Sequence, residues 1–284
     1  MNEDLTKFRA QIDKIDDDII NLLRKRVAVV HEVGKHKTKA SAGSKLSFIR
    51  PGREAQMLRD LAKKGEDVLP VAAIATIWRM IISSSLCIEQ DMNIAVVAND
   101  EDESCFWLTR EYYGNFVTTT RYEKPTEVIE AVANHQAAVG VLPLEVPEYA
   151  RPWWVRPEDE KNDIYIFARI PFVEREGEKL PAALAIANVM PERTENDVSI
   201  LAVHAILPID EVQACFAAAG LGVKAIAAHN GNYLLEAVSF LESKDERLAK
   251  VKEMLGEHVS VRLLGAYAAP MIIPEKKENT KREK

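Results

Sequence analysis

The chain is poor in cysteine, in aromatic residues and in long apolar runs. Three cysteines, Cys87, Cys105 and Cys215, stand among 284 residues. They form no CxxC and cannot all pair, which fits a reduced, cytoplasmic protein and not a disulfide framework. Six histidines are scattered, with only His31 and His36 close together. No ligand spacing for a metal is seen, so no metal is expected. No apolar run approaches the ~20 residues of a membrane helix. The opening "MNEDLTKFRA" lacks the apolar core of a signal peptide. No internal repeat is visible, and no membrane association is expected.

What is present is globular: 47% apolar and 29% charged residues exclude a disordered chain. The net charge of −7 is unevenly spread. Residues 1–90 hold 16 Lys+Arg against 12 Asp+Glu, so a module of +4 precedes a remainder of −11. A basic module attracts anions. That module lacks the aromatic platforms of a nucleic-acid binder, so no nucleic acid is expected.

Three helices are read in this module. Leu5, Phe8, Ile12, Ile15, Ile19, Leu22, Val29 and Val33 recur at steps of three and four, predicting one helix over residues 4–42. "SAGSK" (41–45) breaks it. A second helix is predicted from Pro51 to Lys64 and a third from Val71 to Gln90. A first helix ~60 Å long cannot bury its stripe within ninety residues, so a second chain is expected to cover it.

Beyond Met92 the pattern changes to α/β. "MNIAVVAN", "AAVGVLPL" and "NDIYIFARIPF" read as strands and "KPTEVIEAVANHQ" as a helix. From Asp197 the order is strand, helix, strand, strand, helix, strand, which is the ferredoxin-like plan. The expected organisation is a helical domain 1–91, an α/β domain 92–196, a ferredoxin-like α+β domain 197–274, and a disordered charged tail 275–284.

The informative charges interrupt apolar faces. After Leu22 the seam of the first helix should continue with an apolar residue, and Arg26 stands there. Lys37 lies eleven residues on, about three turns, and points the same way to within ~20°. One reading is a snorkelling arginine and a solvated lysine; the other is two cations facing an enclosed anion. Arg9 lies ~25 Å up the axis from Arg26. It is either a surface residue or part of a pocket built by another chain. On the third helix Trp78, Ile82, Ser85 and Glu89 share one face, and the polar pair on it needs partners. Arg53 and Glu54 open the second helix, where a glutamate also suits the dipole.

The stretches "FRAQIDKID", "LLRKRVAVVHEVGKHK", "RPGREAQML" and "IWRMIISSSLCIEQ" together resemble the all-helical chorismate mutases. The resemblance implies an interlocked homodimer. Its substrate is chorismate, rearranged to prephenate without a cofactor in phenylalanine and tyrosine biosynthesis. It further implies that Arg26, Lys37, Glu54 and Glu89 are catalytic, joined by Arg9 of the partner, with Arg53 and Ser85 binding substrate. Two positions depart from the family: Arg50 replaces an aspartate found in some members, and Glu89 replaces a common glutamine.

Residues 92–200 resemble a reduced prephenate dehydratase domain, through "MNIAVVAN" and "AAVGVLPLE". The last ~75 residues resemble an ACT regulatory domain, through "SVRLLGAYAAP". The dehydratase Thr-Arg-Phe triplet is missing, since "TRY" at Thr120–Tyr122 comes too early in the order. The ACT Glu-Ser-Arg-Pro stretch is missing too, with "AAHNGN" near its place. The implied C-terminal half is therefore a regulatory or structural remnant. The alternatives are an isochorismate pyruvate lyase on the same scaffold, a non-catalytic metabolite-binding protein, and a bifunctional mutase–dehydratase.

Overall fold

A computed structural model of the chain describes residues 2–40, 48–144, 152–155, 163–178, 181–256 and 259–274, with side chains in the first helix described from 4 to 36. The predicted break at 41–45 and the predicted tail at 275–284 lie outside these residues.

Three helices come first, close to their predicted bounds. The first, α1 (Asn2–Ala40), has 39 residues. Its stripe is present but largely uncovered by the described residues: Leu5, Phe8, Ile12, Ile15 and Ile19 are 49–58% exposed. Next comes α2 (Pro51–Gly65), beginning on a proline at a position where its missing N–H costs nothing. Then α3 (Val71–Glu89) packs against both. By length and composition α3 is apolar enough to cross a membrane, which corrects the expectation that no run is long enough. Its Arg79, Ser83 and Ser85 are buried against protein, as in the core helix of a globular fold.

The remaining elements are β1 (Asn93–Val97), α4 (Ser104–Tyr113), β2 (Thr118–Tyr122), α5 (Pro125–Ala133), β3 (Val139–Pro143), β4 (Tyr165–Ile170), β5 (Val173–Arg175), β6 (Ala183–Ala187), β7 (Asp197–His204), α6 (Ile209–Ala218), β8 (Val223–His229), β9 (Asn232–Ala237), α7 (Glu246–Leu255), β10 (Ser260–Ala268) and β11 (Met271–Ile273). One nine-stranded sheet runs β2-β1-β3-β6-β4-β10-β7-β9-β8. Its β10-β7-β9-β8 part, with α6 and α7, is the ferredoxin-like arrangement read from the sequence. A separate pair joins β11 to β5.

The two parts of the large sheet meet through one backbone pair, Gly265 with Ile166. Gly265 has φ +144°, and a Cβ there would stand 2.2 Å from the Ile166 carbonyl oxygen. Only glycine allows this approach. Side chains reinforce the junction. Arg169 of β4 donates to Glu236 of β9 at 2.9 Å and to Glu174 of β5 at 3.0 Å, while Tyr267 of β10 donates to Glu236 at 2.6 Å. Burial first, then the Glu236 charge, raises the Tyr267 pKa, so its hydroxyl stays a donor.

The helices do not form a core of their own. Ile49, Ala55, Leu58, Ile82 and Leu86 join Met92, Ile94, Val141, Phe167, Ile170 and Phe172 in one buried cluster. Two of the three helices thus bury their apolar faces on the sheet side, leaving α1 as the projecting element.

Candidate active site

The three helices enclose a cleft of about 330 Å³. It is lined by Arg26, Val29, Val30 and Val33 from α1, by Phe48, Arg50, Arg53, Glu54 and Met57 around the start of α2, and by Ile82, Ser85, Leu86 and Glu89 from α3. That size suits one small metabolite.

Arg26 is half-buried and donates through Nη1 to the Ser85 hydroxyl. That hydroxyl in turn donates to the Ile81 carbonyl at 2.8 Å, so Ser85 both satisfies its helix and orients the guanidinium. Burial pulls the Arg26 pKa below its ordinary value, and the charge of Glu89 pushes it back up. The group stays a cation, as arginine does in proteins. Glu89 lies against α1 where that helix has no side chain: a Cβ on Gly34 would be 3.9 Å from its Cγ.

Glu54 has both oxygens engaged. Oε1 accepts from the Arg50 backbone N–H at 3.2 Å and Oε2 accepts from Arg79 Nη1 at 2.7 Å. Arg79 is only 4% exposed. Its guanidinium lies 4.8 Å from the Tyr112 ring and 5.5 Å from the Tyr113 ring, both on α4. Burial by itself disfavours the Arg79 cation, yet Glu54 and the ring neighbours leave its pKa above the ordinary value. Arg79 is not among the positions that the sequence singles out. The signal that marked Arg26, a cation inside an apolar run, is present in "IWRMII" as well.

Of the residues singled out from sequence, the structure brings Arg26, Arg53, Glu54, Ser85 and Glu89 around one cleft. Arg9 is exposed on α1, ~25 Å along the helix from Arg26. Lys37 lies on α1, and its side chain is outside the described residues. Among the described residues no group of three or more His, Cys, Asp or Glu is placed to hold a metal. The "TRY" triplet is on β2, where Arg121 pairs with Glu103 at 2.5 Å and covers the Phe106 ring.

Chemically, the cleft sets Arg26 and Arg53 over an apolar floor. Two nearby charges already have partners, since Arg79 holds Glu54 and Glu192 holds Arg50. This suits a compact anion that is gripped, with acceptors at hand for a hydroxyl.

Residues 8–90 match the family model of chorismate mutase type II. The chain is 28% identical over 144 residues to a bifunctional chorismate mutase/prephenate dehydratase of Pseudomonas aeruginosa, covering 50% of this chain and 39% of that one. It is 27% identical over 147 residues to the enzyme of the same description from Aquifex aeolicus, again 50% and 39%. Both alignments are longer than the 8–90 span, so they continue into the α/β part. The chain thus spans about two fifths of the length of these curated relatives. A T-protein of Enterobacter agglomerans is 35% identical over 92 residues, 32% of this chain and 24% of that one. Among solved structures, a prephenate dehydratase from Streptococcus mutans aligns at TM-score 0.41 with 15% identity, covering 64% of this chain and all of that one. The quorum-quenching acylase GqqA aligns at 0.42 with 14% identity, covering 62% and 95%.

Proposed function

We propose that this chain, whose residues 8–90 form a chorismate mutase type II domain, is a cytoplasmic enzyme that rearranges chorismate to prephenate and works as a homodimer. The observation that carries this reading is the convergence of Arg26, Arg53, Glu54, Ser85 and Glu89 from three helices on one cleft. The C-terminal half is a regulatory or structural appendage.

The reaction is internal to one molecule. An ether C–O bond breaks, a C–C bond forms, the double bonds shift, and no proton is transferred. The protein's task is to hold a dianion in a compact conformer and to meet the charge that grows on the ether oxygen. Arg26, oriented by Ser85, grips one carboxylate, and Arg9 of the second chain grips the other. Arg53 supports a carboxylate or the ring. Glu54 keeps lone pairs free for a substrate hydroxyl, because each carboxylate oxygen accepts more than one bond. By the family resemblance, the donors to the ether oxygen are Lys37 and residue 89.

The uncovered stripe of α1, from Leu5 to Ile19, supports the dimer, since a contiguous apolar patch on this scale marks an interaction surface. A second copy laid along it supplies Arg9 to the cleft. The test is turnover of chorismate, with isochorismate as the competing substrate; pyruvate release from isochorismate alone overturns the mutase reading. Arg9→Ala and Arg26→Ala variants are each expected to be nearly inactive. After unfolding and refolding together in equal amounts they recover about a quarter of wild-type activity, because half the mixed dimers are hybrids with one intact cleft. No recovery rules out the shared site.

Glu89 makes a separate prediction. Glutamate donates to an ether oxygen only when protonated, whereas glutamine donates at any pH. The wild-type kcat/KM for chorismate is expected to rise as pH falls from 8 to 5, and Glu89→Gln to flatten that profile. A flat wild-type profile removes Glu89 from the donor role.

A further inference from the structure

The first turn of α2 carries Arg53 and Glu54 into the cleft, yet it has no capping side chain of its own. Its N-cap is Arg50, which makes no cap bond, so the leading N–H groups of the helix need an acceptor from elsewhere. One comes from the loop between β6 and β7, 139 residues on. The Glu192 carboxylate accepts from the Arg53 backbone N–H at 3.3 Å and from Arg50 Nε. The fit is close. A Cβ on Gly52 would stand 2.7 Å from Glu192 Cβ and 3.1 Å from its carbonyl oxygen, so the absence of a side chain at Gly52 is what lets the loop approach.

The loop is anchored in turn. Arg59, further along α2, donates to Thr194 Oγ1 at 3.1 Å, to the Asn196 carbonyl at 3.0 Å and to the Ala269 carbonyl at 2.7 Å. The Asp197 carboxylate accepts from Thr194 N at 2.8 Å and Thr194 Oγ1 at 2.6 Å. The Arg50–Glu192 pair is partly exposed, with side chains 50% and 28% accessible, so its worth to global stability is small. Its consequence is geometric, because it ties the start of α2 to the sheet domain.

We propose that Glu192 is a positioning residue for the mutase cleft. A carboxylate from the C-terminal half caps α2 and holds Arg50 aside, and thereby fixes where Arg53 and Glu54 meet the substrate. The proposal rests on the chorismate reading above. It gives the appended half a direct part in the N-terminal chemistry.

The test is steady-state kinetics on chorismate with the full-length wild type, Glu192→Gln and Glu192→Ala, beside thermal unfolding of each. Glu192→Ala is expected to raise KM about tenfold with kcat within about twofold, because the displaced groups bind substrate. Glu192→Gln keeps an acceptor but loses the charge, so its KM rises less. Unchanged KM and kcat in both variants overturn the proposal. A lower kcat at wild-type KM, with a lowered unfolding midpoint, reports fewer folded sites and also overturns it. Wild-type turnover is the control on the cleft reading, and without it the proposal falls together with that reading.

Discussion

Arg26→Ala is expected to lower kcat/KM for chorismate about a thousandfold, roughly 4 kcal/mol, with the far-UV spectrum and unfolding midpoint close to wild type. The size follows from the geometry. The guanidinium is half-buried over an apolar floor and is held by the Ser85 hydroxyl. A charge-assisted bond there is partly desolvated before substrate arrives, and truncating one side of such a pair costs about 2–5 kcal/mol. Stability is little affected, because Glu89, the carboxylate whose charge acts on Arg26, is only partly buried and Ser85 keeps its bond to the Ile81 carbonyl. Ser85→Ala, by contrast, removes only the orienting hydroxyl and costs less. An Arg26→Ala variant within tenfold of wild type, measured with saturation curves wide enough to define KM, ends the role given to this residue.

Arg79→Met is expected to be the most destabilising of the changes considered, by about 3 kcal/mol or more. The Arg79 and Glu54 side chains are 5% and 13% exposed and meet at 2.7 Å. Removing the cation strands a carboxylate away from water, which costs far more than the intact pair contributes. It also removes the contact with the Tyr112 ring, a further fraction of a kcal/mol or more. The double variant Arg79→Met/Glu54→Gln relieves the stranded charge and recovers at least half of the loss, a coupling that a double-mutant cycle measures. Denaturant unfolding at one fixed protomer concentration is the measurement, because dimerisation would otherwise shift the midpoint. Additive losses for the two single variants remove the pair from its structural role.

The helical module was largely legible. Long segments with a 3.6-residue period are the strongest local signal, and α1, α2 and α3 begin and end within a few residues of where their apolar spacing and Pro51 place them. The cleft residues Arg26, Ser85 and Glu89 were found because polar groups on an apolar face need a reason. Arg79 escaped because its face of α3 reads as plain core, although the same test applied to it. In the α/β half, the sequence marks β1, β3, β4 and α5 but not α4, β2 or β6. The strand β6 is five buried residues without alternation, and such a run has no period to distinguish it. The edge strand β2 is polar and mostly exposed, so burial left no pattern there.

Local periodicity by itself determined the lengths of the helices, the βαββαβ order of the C-terminal part, and the cations set into the α1 stripe, because each depends on what one segment's own faces meet. The tertiary structure alone decided that α2 and α3 bury themselves on the sheet, that Gly265 joins the two parts of that sheet, that Arg79 is spent on Glu54, and that Glu192 caps α2. These pairings bring together surfaces far apart along the chain. Their energy comes from shape and charge matched across a docking face, which no spacing within one segment encodes.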